Sequence, residues 1–315
     1  MKERVVSGIV IAVLLVAFGV VGGPALGVVL CICAVLGYME MARAVGAADP
    51  VSNESNAADP APSKAPAKEI RGGDSDPTAP VAAGKANALT WIGAAATVLY
   101  YIALIAGPYQ HLLKNVFSYQ NALTAGFIIA VFVLTMAVYV LTFPRYRAEQ
   151  AEGAIFSFLY VPVLMAFIYR TRMLHNGIFS FALIFLCSWL CDTCAWFFGR
   201  LFGQHKMAPV LSPKKTVEGG IGGVAGSVVL CGALAVIAAR LLHESSHIAE
   251  FMIIGFFGSL ISMVGDLAAS AIKRNHEIKD YSHLIPGHGG IMDRFDSAIF
   301  TAPVIYYLCV MLLRF

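Results

Sequence analysis

The stretch that decides the fold is a pair of apolar segments, GGIGGVAGSVVLCGALAVIAARL at residues 219–241 and AEFMIIGFFGSLISMVGDLAA at residues 249–269. Each is close to the ~20 apolar residues that a helix needs to cross a bilayer. Two consecutive spanning helices return a chain to the side of the membrane from which it set out. The polar residues before 219 and after 269 therefore face the same compartment, and they can build one site.

Composition extends this interpretation to the whole chain. Of 315 residues, 58% are apolar and 13% are charged, whereas an ordinary soluble domain is about 45–50% apolar and about 25% charged. We therefore predict an all-α, polytopic integral membrane protein with about nine transmembrane helices. The expected spans are 5–21, 25–42, 89–107, 122–143, 153–169, 177–198, 219–241, 249–269 and 297–313. A net charge of +3 gives no extended basic surface, which argues against nucleic-acid binding.

The spans divide the chain into four regions. They are an N-terminal transmembrane hairpin (1–45), a cytoplasmic loop (46–88), a middle transmembrane region (89–175) and a C-terminal transmembrane domain that carries the polar segments (176–315). The loop is rich in alanine and proline, and its only larger aliphatic side chains are those of Val51, Ile70 and Val81. Because so little apolar surface cannot offset the entropy of ordering, we expect this loop to be disordered.

The basic residues that flank the helices predict the orientation of the chain. The larger basic clusters, within residues 2–4, 145–147, 200–215 and 273–294, all fall on one side of a chain with these spans. We therefore expect a multi-pass protein of the cell membrane whose polar segments face the cytoplasm. Four arginines fall on the outer side and oppose the rule, namely Arg170, Arg172, Arg240 and Arg314.

The seven cysteines all lie within apolar stretches, and an odd number there does not indicate a disulfide framework. Cys187, Cys191 and Cys194 follow i, i+4, i+7 spacing and could present three thiols on one helix face to a soft metal. The favoured interpretation is that they are small packing residues on a membrane helix.

The first polar segment reads GRLFGQHKMAPVLSPKKTVEGG from Gly199 to Gly220. Its hydroxyl and ammonium groups stand just before a helix that opens at 217, and they belong to Ser212, Lys214, Lys215 and Thr216. The N-terminus of a helix offers free N–H groups and partial positive charge, so these residues suit a polyphosphate. The two lysines are equally well explained as cytoplasmic anchors of a membrane helix.

The second polar segment reads GDLAASAIKRNHEIKDYSHLIPGHGGIMDRFDS over residues 265–297, and it concentrates charge in a chain where charge is scarce. Asp266, Ser270 and Lys273 recur at i, i+4 and i+7, so a helix places them on one face. Asp293 and Asp296 are three residues apart, so they too can project together. Carboxylates from two helix ends can hold Mg²⁺, although acids are also common at a helix N-terminus without any metal.

Asp266, one further aspartate and a histidine stand out in the same half of the chain. A carboxylate at membrane depth costs at least about 2.5–3.5 kcal/mol on insertion scales, so Asp266, which follows a long apolar run, requires a partner or an ion. Asp192 lies inside the sixth span, where a hydrogen bond to a neighbouring helix and a ligand role are equally open. His288 lies in a turn of proline and glycine residues, whose backbone can approach a ligand closely.

Residues 270–297 closely resemble the signature of phosphatidate cytidylyltransferases, also called CDP-diacylglycerol synthases. That signature reads S-x-x-K-R-x4-K-D-x-x-x-x-[LIF]-[PG]-x-H-G-G-x-x-D-R-x-D. Its fixed positions are filled by Ser270, Lys273, Arg274, Lys279, Asp280, Pro286, His288, Gly289, Gly290, Asp293, Arg294 and Asp296. Two upstream stretches, SPKKTVEGG (212–220) and CDTCAWFFGR (191–200), are also similar to segments of that family.

The resemblance implies transfer of a cytidylyl group from CTP to phosphatidate, which gives CDP-diacylglycerol and pyrophosphate. It supports Asp266, Asp293 and Asp296 as the ligands of Mg²⁺, alone or with a second cation. We expect CTP to bind at Ser212, Lys214, Lys215, Thr216 and Asp192, and the phosphatidate headgroup to bind at Lys273, Arg274 and Arg294. The expected catalytic groups are Asp266, Lys273, Asp293 and His288.

Two other functions remain open from the sequence. A CTP-dependent lipid kinase would also need a triphosphate site and a metal ion. An ion-coupled transporter could use Asp192 and Asp266 as an ion path, although the sequence shows no internal repeat of the kind that many transporters have. The expected partners are the lipid bilayer and the two substrates, and the family resemblance leads us to expect a homodimer.

Overall fold

The computed structural model describes residues 13–48, 85–107, 116–243, 247–285 and 289–313, without the side chains of 116–119. Nine helices make up most of this part of the chain. They are α1 (helical over 13–21), α2 (Gly23–Ala44), α3 (Ala88–Ala106), α4 (Val116–Leu141), α5 (Ala148–Arg172), α6 (Gly177–Phe202), α7 (Val217–Leu242), α8 (Ile248–Asn275) and α9 (Met292–Leu313). Eight of the described helices, α2 to α9, are long and apolar enough to cross a membrane. The prediction of an all-α polytopic membrane protein is confirmed.

The last two helices extend into the polar segments beyond their apolar runs. Helix α8 continues to Asn275 and α9 already begins at Met292, so Lys273, Asp293 and Asp296 are all helical residues. Helices α6 and α5 each contain a wider π-helical turn, at Leu186–Leu190 and at Leu159–Val163. The turn in α5 includes Pro162, which has no N–H to give to the helical ladder.

One departure from the all-helical prediction is a small antiparallel hairpin between α6 and α7. Its strands are β1 (Lys206–Ala208) and β2 (Ser212–Thr216). Glu218, in the first turn of α7, accepts hydrogen bonds from the backbone N–H groups of Gln204 and His205 and from the His205 ring. Thr216 caps α7, since its Oγ1 accepts a hydrogen bond of 3.2 Å from Gly219 N. The hairpin is thereby fixed over the N-terminus of α7.

Glycines allow α6, α7 and α8 to pack closely. A Cβ at Gly223 of α7 would lie 2.9 Å from the backbone oxygen of Cys191 in α6. A Cβ at Gly258 of α8 would lie 2.9 Å from Cys187 Sγ. Small residues at such interfaces are what membrane helices use to bring their backbones together. The cysteines of α6 carry free thiols that face these glycines, which agrees with their interpretation as packing residues.

The loop predicted between 46 and 88 is described only at its two ends. Ala47 is buried, and Asn87 Nδ2 donates a hydrogen bond of 2.8 Å to its backbone oxygen. Asn87 also caps α3, because its Oδ1 accepts from Thr90 N at 3.0 Å. A hydrogen bond therefore connects the segment that follows α2 to the residue that precedes α3. The prediction of disorder falls on residues 49–84, which lie outside the described residues.

Two of the arginines that oppose the positive-inside rule are held by contacts inside the bundle. Arg172 donates hydrogen bonds to the backbone oxygens of Gly19 and Val20 at the end of α1, at 2.6 and 3.1 Å. Arg170 is 1% exposed and donates to Asn121 Oδ1 at 2.5 Å and to Tyr306 Oη at 3.2 Å. These local acceptors explain why the two arginines are tolerated at the end of the bundle away from the polar segments.

We predict that Gly223→Leu destabilises the protein by about 1–3 kcal/mol, because the new side chain meets the α6 backbone and forces the two helices apart. Equilibrium unfolding in mixed micelles measures the change. Gly126→Leu is the matched control, since a Cβ at this position of α4 has no atom within 4 Å. Equal stability of the two variants would contradict the assigned packing.

Candidate active site

A cavity of about 470 Å³ with several charged side chains on its walls opens where α6 ends and α7 begins. Its walls come from α6, the hairpin, the first turn of α7 and the middle of α8. The lining residues are Asp192, Ala195, Trp196, Gly199, Arg200, Met207, Ser212, Lys214, Lys215, Thr216, Gly219, Gly220, Met263 and Asp266. The structure thus brings together the two polar segments that the order of the spans places in one compartment.

Lys215 is the central charge of this cavity. Its Nζ contacts the carboxylate of Asp266 and lies 4.0 Å from Asp192 Oδ1. Burial by itself lowers the pKa of Lys215, because it disfavours the ammonium form. The contact with Asp266 and the charge of Asp192 act in the opposite direction and raise the pKa above its ordinary value. Lys215 is therefore a stable cation on the cavity wall.

A third carboxylate lies close to this pair. Asp296 of α9 interacts electrostatically with both Lys215 and Asp266. The two helices touch here, since a Cβ at Gly265 would lie 3.0 Å from the backbone oxygen of Asp296. The Lys215 ammonium group thus contacts Asp266, lies 4.0 Å from Asp192 and is influenced electrostatically by Asp296. When all are ionised, the cluster has two negative charges in excess.

The charge of this cluster suits a divalent cation, and its donors are the carboxylate oxygens that Mg²⁺ prefers. Within the described residues, however, no three His, Cys, Asp or Glu side chains are gathered closely enough to hold a metal ion by themselves. Mg²⁺ commonly takes only one or two ligands from carboxylates and the rest from water and substrate phosphates. The residues present therefore fit a metal that binds together with a phosphate ligand.

Asp293, the other predicted metal ligand, is engaged differently. Its side chain is 4% exposed, and Oδ1 accepts a hydrogen bond of 2.8 Å from Lys273 Nζ. Its Oδ2 accepts from the backbone N–H groups of Tyr281 and Gly290, at 2.8 and 3.0 Å. Asp293 therefore fixes the loop between α8 and α9 to the start of α9. Its place in a metal-binding set stays a prediction.

The loop is anchored to α8 by a second contact, from the Tyr281 side chain. Tyr281 Oη donates a hydrogen bond of 3.0 Å to the backbone oxygen of Ala269. Burial raises the pKa of this phenol, so it stays protonated and available as a donor. Gly289 follows in the left-handed conformation, with φ of +77°, and a Cβ there would lie 2.7 Å from Asp293 Oδ2. A side chain at this position would clash with the carboxylate.

The remaining predicted residues occupy several environments. Ser212 and Thr216 are half-buried on the cavity wall, whereas Lys214 and Arg274 are exposed. Arg294 is half-buried, and its Nε finds no hydrogen-bond partner within the described part of the protein. Lys273 is paired with Asp293. His288 lies outside the described residues, so its catalytic role stays a prediction.

One residue of this region has no counterpart in the sequence-based hypotheses. Glu40, near the end of α2, is 3% exposed, and its carboxylate accepts hydrogen bonds from the loop that precedes α9. The signal was present in the sequence, since a carboxylate within an apolar segment needs a partner just as Asp266 does. The sequence does not identify that partner, because the partner lies some 250 residues further along the chain.

The chain is similar to known proteins over most of its length. A family model described as "Cytidylyltransferase family" matches residues 83–312. A relative from Staphylococcus saprophyticus, named phosphatidate cytidylyltransferase, is 36% identical over 195 residues, which are 61% of this chain and 72% of the relative. Proteins of the same name from Staphylococcus haemolyticus and Staphylococcus aureus are 34% and 36% identical over 183 residues, 58% of this chain and 68% of each relative.

We predict that Asp266→Asn makes the Lys215 amine more reactive. The substitution removes a charge that raises the pKa of Lys215, and each pKa unit lost increases the neutral, nucleophilic fraction about tenfold. Acetylation at pH 8.5, followed by mass spectrometry, measures the rate at each lysine. Lys214 is exposed and serves as the control within the same molecule. An unchanged rate at Lys215 would show that Asp266 does not hold its proton.

Proposed function

The chain belongs to the cytidylyltransferase family, and from that premise we propose that it is a phosphatidate cytidylyltransferase. It transfers CMP from CTP to phosphatidate, giving CDP-diacylglycerol and pyrophosphate. The observation that carries the proposal is the cavity in which basic and hydroxyl side chains of the hairpin stand opposite the carboxylates of Asp192 in α6 and Asp266 in α8. Its volume of about 470 Å³ lies within the ordinary range of small-molecule sites.

The reaction needs positioning and charge neutralisation more than acid or base catalysis. A phosphate oxygen of phosphatidate attacks the α-phosphorus of CTP and forms a new P–O bond. The bond from the α-phosphorus to the oxygen that bridges to the β-phosphorus breaks, and pyrophosphate leaves with that oxygen. Because the second pKa of a phosphate monoester is near 6, the nucleophile is already ionised at pH 7. What remains for the protein is to align two anions and to offset their repulsion.

The hairpin and the start of α7 provide the triphosphate site of this proposal. Lys215 and Lys214 supply positive charge, and Ser212 supplies a hydroxyl donor on the cavity wall. The Thr216 hydroxyl accepts the N–H of Gly219, so this residue supports the site by shaping the helix N-terminus. Asp192 and Asp266 hold the Lys215 ammonium at the cavity in the absence of a phosphate. A triphosphate would replace carboxylates as the partner of that ammonium.

Phosphatidate would approach from the membrane. An apolar groove of about 620 Å³ runs along the outer surface of α7 and α8 and shares Met207, Gly220 and Met263 with the cavity that contains Lys215. Its other walls are aliphatic and aromatic side chains such as Val224 and Phe256. An acyl chain in this groove would bring its headgroup to the cavity edge. The proposed headgroup ligands are Lys273, Arg274 and Arg294. In this arrangement Lys273 would leave Asp293 and bind the phosphate of the headgroup.

We propose Mg²⁺ as the cofactor, held by Asp266 and Asp296, with Asp293 as the third ligand expected from the family resemblance. The ion, alone or with a second cation, would neutralise charge on the reacting phosphates. A site open to the cytoplasm and a homodimer complete the proposal. The first rests on the distribution of lysine and arginine along the chain, and the second on the family resemblance alone.

We predict that [α-³²P]CTP, but not [γ-³²P]CTP, transfers its label to phosphatidate when the purified protein is supplied with Mg²⁺ in mixed micelles. Cytidylyl transfer retains the α-phosphorus and releases the other two. Thin-layer chromatography of the lipid fraction measures the label. Transfer from the γ position would identify a lipid kinase instead, and a transporter would leave both nucleotides intact.

We predict that Asp266→Asn lowers kcat by about 10²-fold or more, as expected when a group that organises transition-state charge is removed. Initial rates of pyrophosphate release measure the loss. Glu250→Gln is the matched control, because this carboxylate lies in the first turn of the same helix, at the end away from the cavity. Full activity of the Asp266 variant would exclude Asp266 from the site.

A further inference from the structure

We propose that Glu40 is a positioning residue for the active site, which holds the end of the α8–α9 loop and the start of α9 in place. This inference rests on the proposed cytidylyltransferase function for its effect on turnover, but not for the contacts themselves. Glu40 belongs to α2, in the N-terminal hairpin, and the family match begins only at residue 83. The active site would thus depend on a helix that lies outside the range matched by the family model.

Three hydrogen bonds tie the Glu40 carboxylate to this loop. Its Oε1 accepts from Ser282 Oγ at 2.6 Å and from Ile291 N at 3.1 Å, and its Oε2 accepts from Met292 N at 2.9 Å. Ile291 and Met292 form the N-terminus of α9, whose first N–H groups have no partner within the helix. Glu40 therefore supplies from another helix the cap that α9 lacks in its own sequence.

The negative charge of Glu40 is offset by backbone groups at the start of α9. Its side chain is 3% exposed, and within the described residues no lysine, arginine or histidine forms an ion pair with it. The backbone N–H groups and the positive end of the α9 dipole are what offset the negative charge. A carboxylate offers two acceptor oxygens, whereas an amide of the same shape offers one and adds two donors. In this geometry, glutamine at position 40 would place its NH₂ group against the N–H of either Ile291 or Met292.

Glu40 and Asp293 together clamp the loop from its two sides. Gly290 donates its N–H to Asp293 Oδ2, and a Cβ added to Gly290 would overlap the Glu40 carboxylate. A Cβ added to Gly289 would meet Asp293 instead. The paired glycines of the signature are therefore required because a carboxylate closes on the backbone from each side. One of these carboxylates comes from outside the signature.

The backbone held by Glu40 and Asp293 is directly connected to the proposed catalytic groups. Asp293 is bonded to Lys273, and Asp296 follows one turn later on the same helix, beside Asp266. If the first turn of α9 loses its cap, the positions of Asp293 and Asp296 relative to α8 become less defined. The proposed nucleotide-binding hairpin is on other elements, so we expect Glu40 to affect turnover more than the affinity for CTP.

The experiment compares Glu40→Gln, Glu40→Asp and Ser282→Ala with wild type by hydrogen exchange and by kinetics. We expect Glu40→Gln to speed exchange of the Ile291 and Met292 amides, and to lower kcat about 10- to 100-fold. We expect KM for CTP to stay within about twofold, since only a transition-state arrangement is disturbed. Glu40→Asp should restore part of kcat, and Ser282→Ala, which leaves both N–H contacts, should have the smallest effect.

Glu152→Gln is the matched control, because this exposed glutamate lies near the beginning of α5. Unchanged exchange at Ile291 and Met292 in Glu40→Gln would overturn the proposal whatever the activity. Faster exchange with normal kcat would also overturn it, since the contact would then be structural only. A uniform rise of exchange in α6 and α7, with KM and kcat both impaired, would mean general destabilisation and would refute it as well. If Glu40→Gln shows faster local exchange but the wild-type protein transfers no label from CTP, the proposed function is refuted and the contacts made by Glu40 are still supported.

Discussion

The energetic cost of placing a carboxylate at the edge of an apolar bundle is the constraint on which the rest of this structure depends. Glu40, Asp266, Asp293 and Asp296 all lie at the same end of helices that are otherwise too apolar to solvate them. Glu40, Asp266 and Asp293 have partners in the connecting segments, and those partners shape these segments. The hairpin folds so that Lys215 reaches Asp266, and the α8–α9 loop folds so that its N–H groups reach Glu40 and Asp293.

These carboxylates fall into two groups with different consequences. Glu40 and Asp293 are saturated with donors, which makes them rigid parts of the framework. Asp192, Asp266 and Asp296 share one lysine and remain under-compensated, with two of them facing an open cavity. Under-compensated charge is costly, and this is why we propose that the carboxylates of this second group bind a cation together with phosphate. The division between framework groups and proposed binding groups follows from how many donors each carboxylate has.

Most of the helices could be predicted from sequence, because long apolar runs leave a membrane chain few alternatives. The shared location of the two polar segments followed from the order of the spans, and the approach of Asp296 to Asp266 is consistent with it. The engagement of Asp293 with Lys273 and Tyr281 was not predictable, since it depends on the path of an irregular loop. The hairpin was missed because its strands are only three and five residues long. Glu40 was missed because a single charge does not alter the apolar average of its segment.

The hydrogen bond between Asn87 and Ala47 has a consequence for how this protein can vary. It fixes the end of α2 beside the beginning of α3. Changing the length of chain between two fixed points alters mainly its closure entropy, by about 0.6 kcal/mol for each doubling. We therefore expect segments of different length and composition to be accepted at this junction with little change in the positions of α2 and α3.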